Sequence, residues 1–351
     1  MILATRYNES MSTASDPGVP VEPIPDLSVI VVTHRTRCDT RHCLTSLTEG
    51  GLEGVRSEVI VIDNGGDDGT AEMVRAEFPQ FRLIVNDQNL GFSHGNNQGI
   101  EVSQGEAVLL LNPDTLVPPG ALARCVAFLR AQPEDVAAMT CRVESPDGSV
   151  QWTCSRRLIT PWSECARALL LDRLFKKSDF FNPEPITAWD RRDTRAVECL
   201  LGAFMLIRRS ALRRLGPLDE SFFLMYEDVD WCKRAADAGY RLMFWADEHI
   251  VHLGGQAWKQ EPVIVFANAH LSALTYFQKH YPRSVGMVRW VSRVGMELKV
   301  LALRLNLLRK PGDPYTLGHL AMARAARATL KTGNPLPYGG WATTTLEAER
   351  S

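Results

Sequence analysis

The sequence predicts a doubly wound, mostly parallel α/β sheet followed by a helical C-terminal appendage, and three observations predict it. Short β-branched runs recur between Leu27 and Leu111. Stretches with helical spacing, opened by turn-forming Asn, Asp and Gly, lie between them. Beyond Glu261 the apolar period becomes that of a helix and stays so. Strands alternating with helices place helices on both faces of a parallel sheet.

The elements follow in order. Leu27 to Thr33 is a β-branched strand, and residues 41–48 carry helical spacing at Leu44 and Leu47. A second buried strand, Glu58 to Asp63, ends in the turn-rich run 64–70, which opens a helix over 71–78. Residues 81–85 form a third strand. The run Gly95-Asn96-Asn97-Gln98-Gly99 opens a helix, and 107–111 is a fourth strand. Residues 156–195 lose this rhythm and mix aromatic, leucine and basic side chains, as a partly helical excursion would. Regularity returns with a strand over Phe204 to Ile207, a helix over 210–215 stopped by Gly216-Pro217, and a helix from Asp228 to Ala238 ending at Gly239. Residues 240–245 and 250–252 read as two short strands.

Domain limits follow: a flexible arm over 1–26, an α/β unit over 27–260, a helical region over 261–331 and a loose tail over 332–351. Within the α/β unit, 27–115 form one half and 197–260 the other. In the helical region Met287, Val291, Val294, Leu298, Leu301, Leu305 and Leu308 alternate four and three apart. That seam is expected to pack on the α/β unit with its charges solvated. Its other faces carry Arg289, Arg293, Lys299, Arg304, Arg309 and Lys310 against a lone Glu297, an excess that suits an anionic bilayer surface.

Composition bounds the function. A hydrophobic content of 45% supports a full core, and a net charge of −2 gives no reason to expect nucleic acid. The eight cysteines are scattered without a CxxC pair, as expected of reduced, buried thiols in a cytoplasmic protein. No stretch resembles a signal peptide or a membrane span, so any membrane contact is expected to be peripheral.

The chemistry sits at strand ends. Ligands of doubly wound sheets bind outside the carboxyl ends of the strands, where Thr33, Asp63 and Asp114 fall. Asp63 reads either as a turn residue or as a hydrogen-bond acceptor for a nucleobase or ribose. The run 89–99, with Asn89, Asn96 and Asn97 among three glycines, offers donors and close backbone approach near phosphate or ribose. It departs from the GxGxxG pattern, which disfavours a dinucleotide site. Asn112-Pro113-Asp114 reads as a plain turn or as an acidic site for a hard cation, and Glu227, Asp228 and Asp230 supply candidates for a general base. His252 reads as an ordinary strand-end histidine or as a ligand.

Taken in order, residues 29–34, 63–70, 89–99, 111–115, 202–209, 219–230 and His252-Leu253-Gly254-Gly255 resemble the inverting family 2 of GT-A glycosyltransferases, in particular its rhamnosyltransferase-like branch. The resemblance spans about 27–281. It implies that Asp63 contacts the base or ribose, with Thr33, Asn89, Asn96, Asn97 and Asn112 also on the donor side. It implies that Asp114, with His252, holds a divalent cation (Mg2+ or Mn2+) on the diphosphate. Asp228 is then the catalytic base, with Glu227 the alternative, and Gly202, Glu227 and Asp230 lie on the acceptor side. Asn112 stands where many members have aspartate. The implied donor is a nucleotide sugar, first dTDP-L-rhamnose, with UDP-galactofuranose or another UDP-hexose the alternative. The implied acceptor is a saccharide on a polyprenyl diphosphate. Two rival readings are a nucleotidyltransferase, which wants glycines after the first strand where Thr33-His34-Arg35-Thr36-Arg37 has none, and a non-catalytic carbohydrate-binding scaffold.

Overall fold

The computed structural model describes residues 24–182, 189–254 and 261–334. The expected arm up to residue 23, the tail from 335, part of the excursion (183–188) and the Gly255 end of the histidine motif lie outside the described residues.

The first half runs β1 (Leu27–Thr33), α1 (Arg37–Ser46), β2 (Ser57–Asn64), α2 (Thr70–Glu77), β3 (Arg82–Asn86), α3 (Phe92–Val102) and β4 (Ala107–Leu111). β1 pairs in parallel with β2 and β4, and β2 pairs with β3. Every residue of β1 and β4 is buried. Both faces of these strands are covered, which is why their sequences run apolar without alternation. α3 starts at Phe92, three residues before the expected Gly95. The reason is tertiary: the Phe92 N–H donates to the Phe223 carbonyl at 2.7 Å, a partner the local sequence does not contain.

The second half holds β5 (Thr115–Leu116), α4 (Ala121–Ala131), β6 (Val136–Glu144), β7 (Ser155–Arg156), α5 (Pro161–Ala168), α6 (Leu171–Leu174), β8 (Arg195–Val197), β9 (Cys199–Leu200), β10 (Phe204–Arg208), α7 (Arg209–Leu215), α8 (Glu227–Asp237) and β11 (Arg241–His252). β10 enters antiparallel between β4 and β6, giving the order β3-β2-β1-β4-β10-β6-β11-β5, with β8 on β11. The two short strands expected over 240–252 are one. Its pairing with β6 skips from Trp245 to His249, so Ala246, Asp247 and Glu248 form a bulge whose charges read as a break in the sequence. Glu248 is buried there against Arg124 of α4.

Three long helices follow: α9 (Pro262–His280), α10 (Val285–Arg309) and α11 (Pro314–Thr332). The expected packing of the α10 seam is corrected. Met287, Leu298, Leu301, Leu305 and Leu308 are each more than half exposed, as is Trp290. The buried face is instead Val288, Val291, Ser292, Gly295, Met296 and Val300. α10 is apolar on two sides, and its small residues let the inner side approach α5 closely. A Cβ at Gly295 would collide with the Ala168 carbonyl oxygen. Periodicity finds an apolar stripe without saying which of two is covered.

One buried carboxylate ties the helical region to the sheet. Asp230 of α8 accepts from Arg234 Nε at 2.9 Å, Lys279 Nζ at 2.8 Å and His280 Nε2 at 2.7 Å, the last two on α9. Burial alone would raise its pKa, but the bonds from His280, Lys279 and Arg234 outweigh burial and hold it below the ordinary carboxylate value. Removing one partner of such a cluster leaves the others buried and uncompensated. Asp230→Asn is expected to lower the unfolding free energy by about 3 kcal/mol or more, measured by urea denaturation. A loss below about 1 kcal/mol, the scale of an exposed pair, would refute the coupling.

Candidate active site

The carboxyl ends of β1, β2 and β4 open on one edge of the sheet, and hydrogen bonds fix what they deliver. As the chain leaves β4, the Asn112 N–H donates to the Ala203 carbonyl at 3.0 Å, and the Asp114 carbonyl accepts from the Leu253 N–H at 2.9 Å. Asp114 is thereby held beside the end of β11. Its Oδ1 lies 3.1 Å from His252 Nε2, both side chains being buried. Asn112 Nδ2 lies 3.4 Å from the same nitrogen.

Gln151 sets the histidine tautomer. Its Nε2 donates to the His252 carbonyl at 2.8 Å, so its Oε1, 2.9 Å from His252 Nδ1, must accept the ring proton. With the Nδ1 proton donated to Gln151, Nε2 is the ring atom that faces the Asp114 carboxylate and the Asn112 amide. At 3.1 Å an Nε2 lone pair and a carboxylate oxygen repel unless a proton or a cation lies between them. Among the described residues no third His, Cys, Asp or Glu joins this pair as a ready metal cluster.

Opposite stands the N-terminus of α8. Met225 and Tyr226 both have positive φ, 70° and 75°, immediately before Glu227. Left-handed backbone costs a non-glycine residue roughly 1–2 kcal/mol, so surrounding contacts must impose it. Tyr226 is buried and its hydroxyl accepts from Arg167 at 2.8 Å. The preceding loop is gripped by the start of α3: Phe92 N–H takes the Phe223 carbonyl, and Ser93 Oγ takes that of Phe222 at 2.6 Å. Gly91, at φ 94°, permits this approach, since a Cβ there would stand 2.8 Å from the Phe223 oxygen.

The strained turn delivers two unlike acids. Asp228 accepts from its neighbour's N–H, at Val229, at 2.7 Å and from the Gly202 N–H at 3.1 Å, and Arg156 lies 3.9 Å away. Glu227 is buried, with Oε2 lacking a hydrogen-bond partner. Burial first, and the charge of Asp228 second, push its pKa up to about 8.

The residues expected from the sequence divide. Thr33, Asn89, Asn112, Asp114, Gly202, Glu227, Asp228 and His252 line one cavity of about 690 Å³. Within it, Thr33 Oγ1 shares hydrogen bonds with Thr36 and Thr40, which orders the β1–α1 turn. Asp63, paired opposite Thr33, turns its carboxylate into the following loop and accepts from the Gly66 N–H at 3.1 Å. Asp63, Asn96, Asn97 and Asp230 are not among the lining residues. Asn96 bonds the Phe92 carbonyl within its own helix, and Asn97 bonds the Leu218 carbonyl and Glu220. These amides fasten α3, and Asp230 is committed to α9.

Several cavity residues escaped the sequence reading. Asn64 organises the loop before α3 through Asn86, Asn89, Leu90 and Gly91. Gln151, Arg156, Arg167, Arg173 and Lys299 lie in segments without a strand-end pattern, and only the fold brings them to this edge.

Comparison with known proteins agrees with this geometry. The family model for glycosyl transferase family 2 matches residues 28–216. An N-acetylglucosaminyl-diphospho-decaprenol L-rhamnosyltransferase of Mycobacterium tuberculosis is 26% identical over 301 residues, covering 81% of this chain and 94% of that protein. The rhamnosyltransferase WbbL of Escherichia coli is 21% identical over 226 residues, covering 55% and 82%. Among solved structures, the mannosyltransferase PcManGT of Pyrobaculum calidifontis, in complex with GDP-Man and Mn2+, superposes with a TM-score of 0.51 at 18% identity, covering 89% of each chain. The sheet is thus of the GT-A type, with C-terminal helices added.

Glu227 gives the site's electrostatics a direct test. Below about pH 4.5 the folded and unfolded chains both hold its proton. Between 4.5 and 8 the unfolded chain releases it and the folded chain keeps it, so the folded state loses stability as pH rises through that window. The melting-temperature difference between Glu227→Gln and the wild type is therefore expected to shift in favour of the glutamine variant from pH 4.5 to 8. A difference independent of pH would contradict the raised pKa.

Proposed function

The chain belongs to glycosyl transferase family 2, and from that premise we propose that it moves a sugar from a nucleotide diphosphate to an acceptor hydroxyl by single displacement with inversion. The observation that carries this reading is the placing of Asp114 with His252, and of Asp228, on one cavity. The acceptor oxygen forms its bond to the anomeric carbon as the bond from that carbon to the diphosphate oxygen breaks. Asp228 takes the hydroxyl proton. Glu227 is the weaker candidate for base, because a pKa near 8 leaves it protonated at neutral pH. It is better suited to donate a hydrogen bond to the acceptor.

Asp114 and His252 would hold a divalent cation, Mg2+ or Mn2+, through a carboxylate oxygen and an imidazole nitrogen that lie 3.1 Å apart. When bound, such an ion neutralises charge on the departing diphosphate. The nucleoside is proposed to lie along the β1–β2 edge, against Thr33, Asn89 and the loop braced by Asp63. The rhamnosyltransferases among the relatives favour dTDP-L-rhamnose over UDP-galactofuranose or another UDP-hexose. They favour a saccharide on a polyprenyl diphosphate as acceptor.

No helix among the described residues is long and apolar enough to cross a membrane. The exposed stripe of α10 instead offers Met287, Trp290, Leu298, Leu301, Leu305 and Leu308 beside Arg289, Arg304, Arg309 and Lys310. We propose that it lies on an anionic bilayer, where an inserted apolar stripe and basic flanks act together. Arg293 is excluded from this role because it caps α11 through the Leu330 carbonyl at 2.8 Å. Vesicles containing phosphatidylglycerol are expected to sediment the wild type at low salt, and less of the Arg289→Gln/Arg304→Gln/Lys310→Gln variant. Sedimentation indifferent to lipid charge, salt and these changes would leave the stripe to another partner.

Asp228→Asn is expected to lower turnover by about 10²–10⁴-fold, the usual worth of a positioned base, while nucleotide affinity stays within about twofold. Retained turnover would move the base elsewhere. Asp114→Ala is expected to remove the cation dependence of nucleotide diphosphate binding in calorimetry, and unchanged dependence would dismiss Asp114 as its ligand.

A further inference from the structure

The cavity continues past the carboxylates into a chamber between α5–α6 and α9–α10, and its chemistry changes there. Ala168, Leu170, Val265, Phe266 and Met296 make the walls apolar. Two cations stand among them, Arg173 of α6 and Lys299 of α10. The Lys299 ammonium lies 4.4 Å from the centre of the Phe266 ring. Burial, and then the charge of Arg173, hold its pKa below the ordinary lysine value. Of the acids on the cavity, Glu164 pairs with Arg167, and Asp114, Glu227 and Asp228 belong to the reacting end. Glu261 also lines the cavity, with Oε2 lacking a hydrogen-bond partner. Among the described residues neither Lys299 nor Arg173 has a carboxylate partner.

Two like charges facing one partly desolvated space are unfavourable by themselves, and an anion between them reverses the sign. Apolar walls add the requirement that this anion carry a hydrocarbon. Leu169, Leu170, Leu174 and Phe175, all at least two-fifths exposed, continue the apolar surface beyond the chamber.

We propose that Lys299 and Arg173 seat the diphosphate of an isoprenoid-linked acceptor, with the chain leaving over α6 and the acceptor sugar reaching back toward Asp228. The inference rests on the acceptor half of the function proposed above. It assigns these cations to the lipid, and the donor diphosphate to the Asp114 end.

Farnesyl diphosphate is a soluble probe that needs no knowledge of the sugar. The full chain is expected to bind it, and Lys299→Gln and Arg173→Gln each to weaken it at least about tenfold, as for a lost hydrogen bond between charged groups. Lys299→Arg should restore most of the affinity. Inorganic pyrophosphate should bind less tightly and suffer the same fold loss, while farnesol should be indifferent to the substitutions. Binding of dTDP or UDP with Mn2+ should stay within about twofold. Lys299→Met, of similar volume, should melt no lower than the wild type, because a desolvated repelling charge has been removed. The proposal is overturned if farnesyl diphosphate binds all variants equally or does not bind the wild type, if nucleotide binding falls by the same factor, or if Lys299→Met melts markedly lower. Failure of the wild type to bind any nucleotide diphosphate would instead strike the glycosyltransferase reading beneath it.

Discussion

Two adjacent backbone groups hold the site together. The Ala203 carbonyl accepts from Asn112 and the Gly202 N–H donates to Asp228, so one short stretch before β10 fastens the end of β4 to the start of α8. Without that junction the two acidic segments, more than a hundred residues apart in sequence, would have no common edge. It exists because β10 runs antiparallel between β4 and β6. An all-parallel order would bring the amino end of the inserted strand to the opposite edge of the sheet.

The junction alone does not aim the acids. Two successive left-handed residues, Met225 and Tyr226, turn the chain sharply enough for Glu227 and Asp228 both to face the cavity. The opposing contacts are dense: α3 grips the loop through Phe222 and Phe223, Arg167 holds the Tyr226 hydroxyl, and Asp230 anchors α8 to α9. The C-terminal helices therefore belong to the architecture of the cavity. They restrain α8 and complete the far wall of the cavity.

Legibility followed locality. β1, β2, β4 and β10 were readable because a strand buried on both faces is apolar throughout, and the carboxylates at their ends were readable because sheet edges are where ligands bind. Asp114, Asp228 and His252, singled out that way, line the one cavity. Asn96 and Asn97 misled because an amide-rich helix start looks the same whether it faces a phosphate or, as here, bonds its own first turn through Asn96 and residues 218–220 through Asn97. Asp230 misled because three acids in one helical turn differ only in what the rest of the fold brings to each. Gln151, Arg173 and Lys299 were invisible since nothing local marks them. The α10 seam was correctly seen as apolar but assigned the wrong side, because the true buried face is built on Ser292 and Gly295, which contribute closeness of approach instead of hydrophobicity.

The central claim is that glycosyl transfer is set up across one cavity, with the leaving diphosphate at Asp114 and His252 and the accepting hydroxyl at Asp228. Anomalous diffraction at the manganese edge from crystals grown with Mn2+ and dTDP measures this directly. The account predicts a peak in contact with an Asp114 carboxylate oxygen and His252 Nε2, bridging diphosphate oxygens, with Asp228 open to the remaining space. A peak elsewhere, or a diphosphate seated on Lys299 and Arg173, would contradict it.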